Sequence, residues 1–156
     1  MIIPITQGAN NPILRRKDNP KYGKITKKTA KFLKDMEESM IAAKGVGIAA
    51  TQVGINTRVC HITIKNQRTT FPMINPEILE RSEETMVEEE GCLSLPGQWG
   101  PVERSVWVKA KFTDAKGGER VMIFKDFEAR IVQHEVDHLN GTLFIDHVPK
   151  GKLKVS

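Results

Sequence analysis

Near its C-terminus the chain reads QHEVDHLNG, residues 133–141. Two histidines, His134 and His138, stand four apart, and Glu135 directly follows the first. On a helix, residues at i and i+4 share one face about one turn apart. His134 and His138 can therefore hold one metal ion from the same side, with Glu135 beside the first ligand. In metal-dependent hydrolases a glutamate at this place moves protons for a metal-bound water. A single histidine is more often a surface or core residue paired with a neighbouring acid. The full pattern, preceded by Ile131 and Val132, favours the metal.

A catalytic centre of this type takes three protein ligands and leaves a position for water. Metzincin proteases read HExxHxxGxxH; here Gly141 is present, but Phe144 stands where the third histidine belongs. The stretch after His138 leaves no room for a glutamate ligand on another long helix. Asp146 and His147 remain open but lie close to the helix end. Upstream stand Cys60, His61 and Cys92. Cys60 falls on the apolar face of an expected strand and reads as a buried, inert thiol. Cys92, in EEEGCLSLPG, follows a glycine in a polar, turn-rich stretch where backbone can come close to an ion. Its thiolate would complete a Cys-His-His set. Such a set suits both zinc and ferrous iron, so the residue types do not choose the metal.

The elements that must position these residues follow from periodicity and punctuation. Residues 1–24, with Pro4, Pro12, Pro20, Gly8 and Gly23, read as a looping arm. From Thr26 to about Lys44, Phe32, Leu33, Met36, Met40 and Ile41 recur at helical spacing, with Thr26 as N-cap and Gly45 at the stop. Residues 57–64 alternate as a strand, with Cys60, Ile62 and Ile64 on one face and Val59, His61 and Thr63 on the other. Residues 70–80 read as a short strand interrupted by Pro72 and Pro76. Residues 103–113 and 119–127 read as a hairpin turning at DAKGG. A second helix begins at Asp126 or Phe127 and runs through the metal motif to Gly141. Strands clustered between two helices imply an α+β domain.

Composition sets the frame. A chain of 156 residues with 39% hydrophobic and 28% charged residues is expected to form one domain, spanning 1–156. No apolar run approaches a membrane span, and the N-terminus lacks the pattern of a signal peptide. Two cysteines cannot build a disulfide framework, so a reducing cytoplasm is expected. The net charge of +5 reads as a solvated basic surface rather than a nucleic-acid site.

Three stretches together resemble the peptide deformylase family: GVGIAATQ at 45–52, EGCLS at 90–94 and QHEVDHLNG at 133–141. The resemblance runs from the first helix to about residue 148. It implies a compact α+β domain of antiparallel strands packed around the central HExxH helix, with an N-terminal helix. It implies Cys92, His134 and His138 as metal ligands and Glu135 as general base and acid. Gln52 and the backbone N–H of Leu93 would hold the substrate carbonyl oxygen. Val46 and Gly47 would line the bound peptide. Glu90, Arg104 and Asp137 would form a buried ion network beneath the ligands. Phe127, Arg130 and Ile131, one turn before the ligands, are expected to border an apolar pocket for methionine, with the Arg130 head reaching water.

The implied reaction is removal of the N-terminal formyl group from formyl-methionyl nascent chains, releasing formate. A metal-bound hydroxide attacks the formyl carbon. The implied metal is ferrous iron, with zinc or nickel as other occupants. The expected partner is the nascent chain, with transient ribosome proximity, no specific nucleic acid, no membrane and a monomeric enzyme. Bacterial members usually continue into a basic C-terminal helix, whereas HVPKGKLKVS is broken by Pro149 and Gly151. The source is thereby left open between bacterial, organellar and phage-encoded forms. Two rival readings are a small metallopeptidase using the same helix and a binding module with a structural metal. The latter normally needs four protein ligands.

Overall fold

The computed structural model describes residues 1–64 and 69–156. The looping arm holds one short helix, α1 (Pro12–Arg15). Leu33, Met36 and Met40 make the buried stripe of α2 (Lys27–Ala42). The Thr26 backbone N–H donates to Thr29 Oγ1 (2.9 Å) at its start. The left-handed residue at its end is Lys44 (φ 59°) rather than Gly45. It lets the Gly45 N–H return to Met40 O (2.9 Å) and close the last turn.

Then come β1 (Gly47–Ala49), a 3-10 turn (Ala50–Val53), β2 (Val59–Ile64) and β3 (Thr69–Arg81). These are followed by β4 (Thr85–Cys92), β5 (Leu95–Ser105), β6 (Trp107–Thr113) and β7 (Glu119–Lys125). Helix α3 (Asp126–Leu139), a 3-10 turn (Phe144–His147) and β8 (Lys154–Val155) complete the chain. One sheet has the order β1-β2-β3-β6-β7 and the other β4-β5-β8. Each of these pairings is antiparallel. Among the described residues no helix is long and apolar enough to cross a membrane.

Three expectations change. Residues 103–113 are not one strand: Glu103–Ser105 end β5 in the small sheet, and the chain passes to the large one at Val106. Ser82 Oγ holds that corner by accepting the N–H groups of Val106 (2.8 Å) and Trp107 (3.2 Å). The stretch before Cys92 is strand β4 rather than loop, because β5 supplies partners for its backbone along the whole length. Finally, β3 runs through both prolines. Its register shifts between Ile74 and Glu77 instead of the strand ending, and Asn75 sits there at φ 53°.

The large sheet carries a core on each face. On one, Cys60, Ile62, Met73, Val108 and Phe112 pack against Ala129, Val132 and Val136 of α3. On the other, Val59 and Ile74 pack under Leu33, Met36 and Met40 of α2. A third cluster ties β5 to the segment after α3 through Leu95, Val102, Leu143 and Phe144. Helix α3 therefore has the large sheet on one side and the small sheet on the other, with α2 outermost.

His61 lies on the α2 face of β2, 2% exposed. Burial lowers its pKa from 6.5 to about 4, only partly opposed by the Glu37 carboxylate and the Leu33 backbone. The unfolded chain then binds this proton at a higher pH than the folded one. Stability is complete above about pH 6.5 and falls as the pH drops toward 4, by about 3 kcal/mol in all. His61→Leu is expected to flatten the urea-midpoint profile between pH 4 and 6.5. An unchanged slope would mean that other groups dominate acid unfolding.

Candidate metal centre

Helix α3 begins at Asp126 and carries Arg130, His134 and His138 at successive i+4 positions. Gln133 orients it by gripping the corner between the sheets. Its Oε1 accepts the Ser105 N–H (3.1 Å), and its Nε2 donates to Ser105 O (2.9 Å). Gly141, at φ 74°, ends the helical run; a Cβ there would lie 2.6 Å from Arg15 O.

The β4–β5 turn brings Cys92 over the helix. Its Sγ is 3.3 Å from His138 Nε2, and one ligand atom each from Cys92, His134 and His138 lie within 4.8 Å of one another. Metal–sulfur and metal–nitrogen bonds of about 2.3 and 2.1 Å set neighbouring ligand atoms about 3.5 Å apart in a tetrahedron. The three residues therefore fit one small ion with a face left open. His134 Nδ1 contacts Glu90 Oε1 (2.8 Å), leaving Nε2 for the ion. Burial opposes a charge on His134, but Cys92 and Glu90 outweigh it and raise its pKa. An ion held by His134 would take the place of that second proton. Burial holds His138 well toward its neutral form.

The other candidates lie elsewhere. Cys60 is packed in the core, and His61 faces α2 on the far side of the sheet. Asp146 pairs with Arg15 (2.6 Å), and His147 contacts Asp137 (2.9 Å). Phe144, in the metzincin ligand position, has its ring centroid 6.4 Å from that of His134.

Glu135 is 4% exposed, and its Oε1 has no hydrogen-bond partner among the described residues. Burial pushes its pKa up to about 7. Gly47 lets β1 approach it: a Cβ there would be 2.5 Å from Glu135 Oε2 and 2.9 Å from Ile131 Cγ2. Gln52 is held by its Oε1, which accepts the Ala49 N–H (2.9 Å). Its Nε2 therefore turns to Ser94 Oγ (3.1 Å) and Cys92 Sγ (3.6 Å). Ser94 closes the EGCLS stretch, but its residue type and spacing alone assign it no role.

Beneath the ligands, Arg104 forks onto Glu90 through Nε (2.9 Å) and Nη2 (3.0 Å), and its Nη1 reaches Asp137 (2.6 Å). Burial pushes the Glu90 carboxyl up, but hydrogen bonds with His134 and Arg104 overcome it and hold the group well below the usual range. Asp137 is half-buried rather than buried. Arg130 departs further from expectation. It is 7% exposed and its head is turned inward onto Glu90 Oε2 (2.6 Å), because that acid needs cations in a dry place.

A cavity of about 550 Å³ lies over the centre. Val46, Gly47, Leu93, Phe127, Arg130 and Ile131 all border it, together with Gln52, Cys92, His134 and Glu135. Cys92→Ser is expected to weaken metal binding by more than the roughly 10- to 100-fold typical when a ligand loses only its supporting partner. Anaerobic dialysis against a competing chelator measures it. Full metal retention would remove Cys92 from the ligand set.

The profile of the polypeptide deformylase family matches residues 3–154. The chain is 46% identical over 139 residues to a peptide deformylase of Halothermothrix orenii, covering 88% of each protein. It is 40% identical over 142 residues to one of Pseudothermotoga lettingae, covering 91% of this chain and 81% of the relative. A crystal structure of the class I type b peptide deformylase of Acinetobacter baumannii with Met-Ala-Ser bound superposes with a TM-score of 0.88. It shares 37% identity and covers 95% of this chain and 99% of that one. A Synechococcus elongatus peptide deformylase in complex with actinonin gives 0.90 at 32% identity, covering 96% and 82%. With the three motifs gathered around one cavity and this likeness along nearly the whole length, the chain is an enzyme of the polypeptide deformylase family.

Proposed function

We propose that the enzyme removes the N-terminal formyl group from formyl-methionyl peptides as nascent chains emerge. In this reading Cys92, His134 and His138 hold one divalent ion, and Glu135 carries the protons. The observation behind it is the convergence of those three ligand atoms beside a buried carboxylate at the floor of an open cavity. The ion, ferrous iron by resemblance with zinc or nickel as alternatives, supplies a Lewis acid that polarises a carbonyl and acidifies a water.

The chain's own residues do the rest. Glu135 accepts a proton from the attacking water and returns it to the departing amine nitrogen, which cannot leave as an anion. A pKa near 7 suits a group that must do both. Gln52 Nε2, fixed by the Ala49 N–H, and the Leu93 backbone N–H stabilise the charge that grows on the formyl oxygen. Tight packing of Gly47 against Glu135 and Ile131 excludes acyl groups larger than formyl.

Substrate placement follows from the sheets. Among the described residues β1 pairs only with β2, and β4 only with β5. Gly47 of β1 and Glu88–Gly91 of β4 both border the cavity. Two unpaired strand edges thus face the site, where an extended peptide can add its backbone hydrogen bonds. The Met-Ala-Ser bound in the Acinetobacter baumannii enzyme is a peptide of the type this arrangement accepts. One monomeric domain acting in the cytoplasm, with transient ribosome proximity, completes the reading. Formate release from formyl-Met-Ala-Ser, with none from acetyl-Met-Ala-Ser and no peptide-bond cleavage of Met-Ala-Ser, is the expected result. Cleavage of the unformylated peptide would instead make the enzyme a peptidase.

A further inference from the structure

Arg130 stands one helical turn before His134, and its guanidinium is not fully spent. Nη1 donates to Glu90 Oε2 (2.6 Å) and Val102 O (2.9 Å), and Nη2 donates to Met86 O (2.7 Å). A guanidinium carries five N–H donors. Those three bonds leave the Nε–H and one Nη2–H without a hydrogen bond among the described residues. Glu88 Oε2 lies 3.7 Å from Nε, an ion pair beyond hydrogen-bond reach. The residue is nonetheless only 7% exposed.

Its position gives those donors a direction. Behind the active-site cavity lies a second one of about 240 Å³, lined by Met86, Ser105, Val106 and Asp126. Glu88, Phe127 and Arg130 line both cavities and form the partition between them. Arg130 therefore stands in the wall of the same cavity as Phe127 and Ile131, with two N–H groups not engaged by the described residues. Bare methionine has little use for them, because a thioether is a weak acceptor. Glu135 and Arg130 are five residues apart, about 7.5 Å along the helix axis, so a side chain entering beside Glu135 and running along α3 heads toward Arg130.

We propose that this enzyme also accepts peptides whose first residue is N-formyl-methionine sulfoxide, the sulfoxide oxygen accepting a hydrogen bond from Arg130 at the partition. The inference rests on the deformylase reading above and names a further substrate for the same site. Oxidation turns the flexible apolar side chain into a polar, chiral one. A pocket without a donor would reject that group by about 10- to 100-fold, the usual penalty for an unpaired buried dipole. Here the guanidinium belongs to a buried residue and is held in place by Glu90 and two carbonyls. The reaction at the other end is unchanged. Water adds to the formyl carbon, the C–N bond breaks, formate leaves and the amine nitrogen takes a proton. The S–O bond takes no part, so no reductant is needed.

The test compares kcat/KM for formate release from formyl-Met-Ala-Ser with that from each sulfoxide epimer of the same peptide. At least one epimer is expected to reach one-tenth of the unoxidised value or more. Both falling below one-tenth overturns the inference. Arg130→Leu is expected to lower the sulfoxide-to-thioether ratio at least tenfold, whatever happens to the absolute rate through the loss of support for Glu90. An unchanged ratio overturns it. Should that variant not fold, Glu88→Leu decides. It removes a carboxylate 3.7 Å from the Arg130 Nε, so the ratio should rise, and a ratio that does not rise counts against the inference. Formyl-Met-Ala-Ser is the control: no formate from it removes the deformylase reading itself, whereas turnover of it alone removes only the sulfoxide proposal.

Discussion

Glu135→Ala is expected to lower formate release by about 100- to 10,000-fold, the range a positioned general acid–base supplies, while the metal content stays that of the parent. The side chain stands beside the three proposed ligands, and its Oε1 makes no hydrogen bond to the described protein. A buried carboxylate oxygen without a partner is a cost to folding. The variant's thermal midpoint should therefore be equal to or above the parent's. The decisive comparison is metal content, midpoint and formate release on one preparation. Loss of the ion and a lower midpoint together would recast Glu135 as a structural partner of the centre.

The second large effect is on stability. Arg104→Leu is expected to destabilise the protein by about 3–5 kcal/mol, because it strands Glu90 and Asp137 as buried or half-buried acids. Glu90 is 7% exposed and keeps only Arg130 and His134 as partners once Arg104 is gone. The same change frees the acid that sets the His134 ring, so metal affinity should fall by roughly 10- to 100-fold as well. Urea melts of metal-loaded parent and variant read the first effect, and chelator competition reads the second. A midpoint shift equivalent to less than about 0.5 kcal/mol is what an ordinary surface arginine would give, and it would dissolve the idea of a supporting network.

How far the sequence revealed this arrangement depended on the range of each signal. Helix α3 and its two histidines were legible because everything needed, the i+4 spacing and Gly141, is local. Helix α2 was legible for the same reason, and even its N-terminal Thr26 was placed. The passage from β5 to β6 was not. Val102, Arg104, Val106, Val108 and Ala110 keep a single alternation across the corner, so periodicity carries no trace of a change of sheet. That change lives in backbone bonds to Ser82, more than twenty residues away. Strand β4 was hidden by its run of Glu88, Glu89 and Glu90, which reads as solvated coil until β5 lies alongside it. The inward turn of Arg130 was hidden likewise. An arginine is expected to seek water, and the acid that holds it here comes from a strand forty residues earlier in the chain.

The placement of α3 between the two sheets sets where the molecule yields first. Opening α3 requires breaking its core against the large sheet and its contacts with β5 at once. Its amide hydrogens should therefore exchange only through global unfolding, while the two-residue strand β8 and the arm before α2 exchange through local opening. Two of the proposed ligands and the proposed proton carrier ride on the slowest-exchanging segment, unlike the many sites built on mobile loops. On heating, activity should then persist until the whole domain melts, with no inactive folded state preceding the transition.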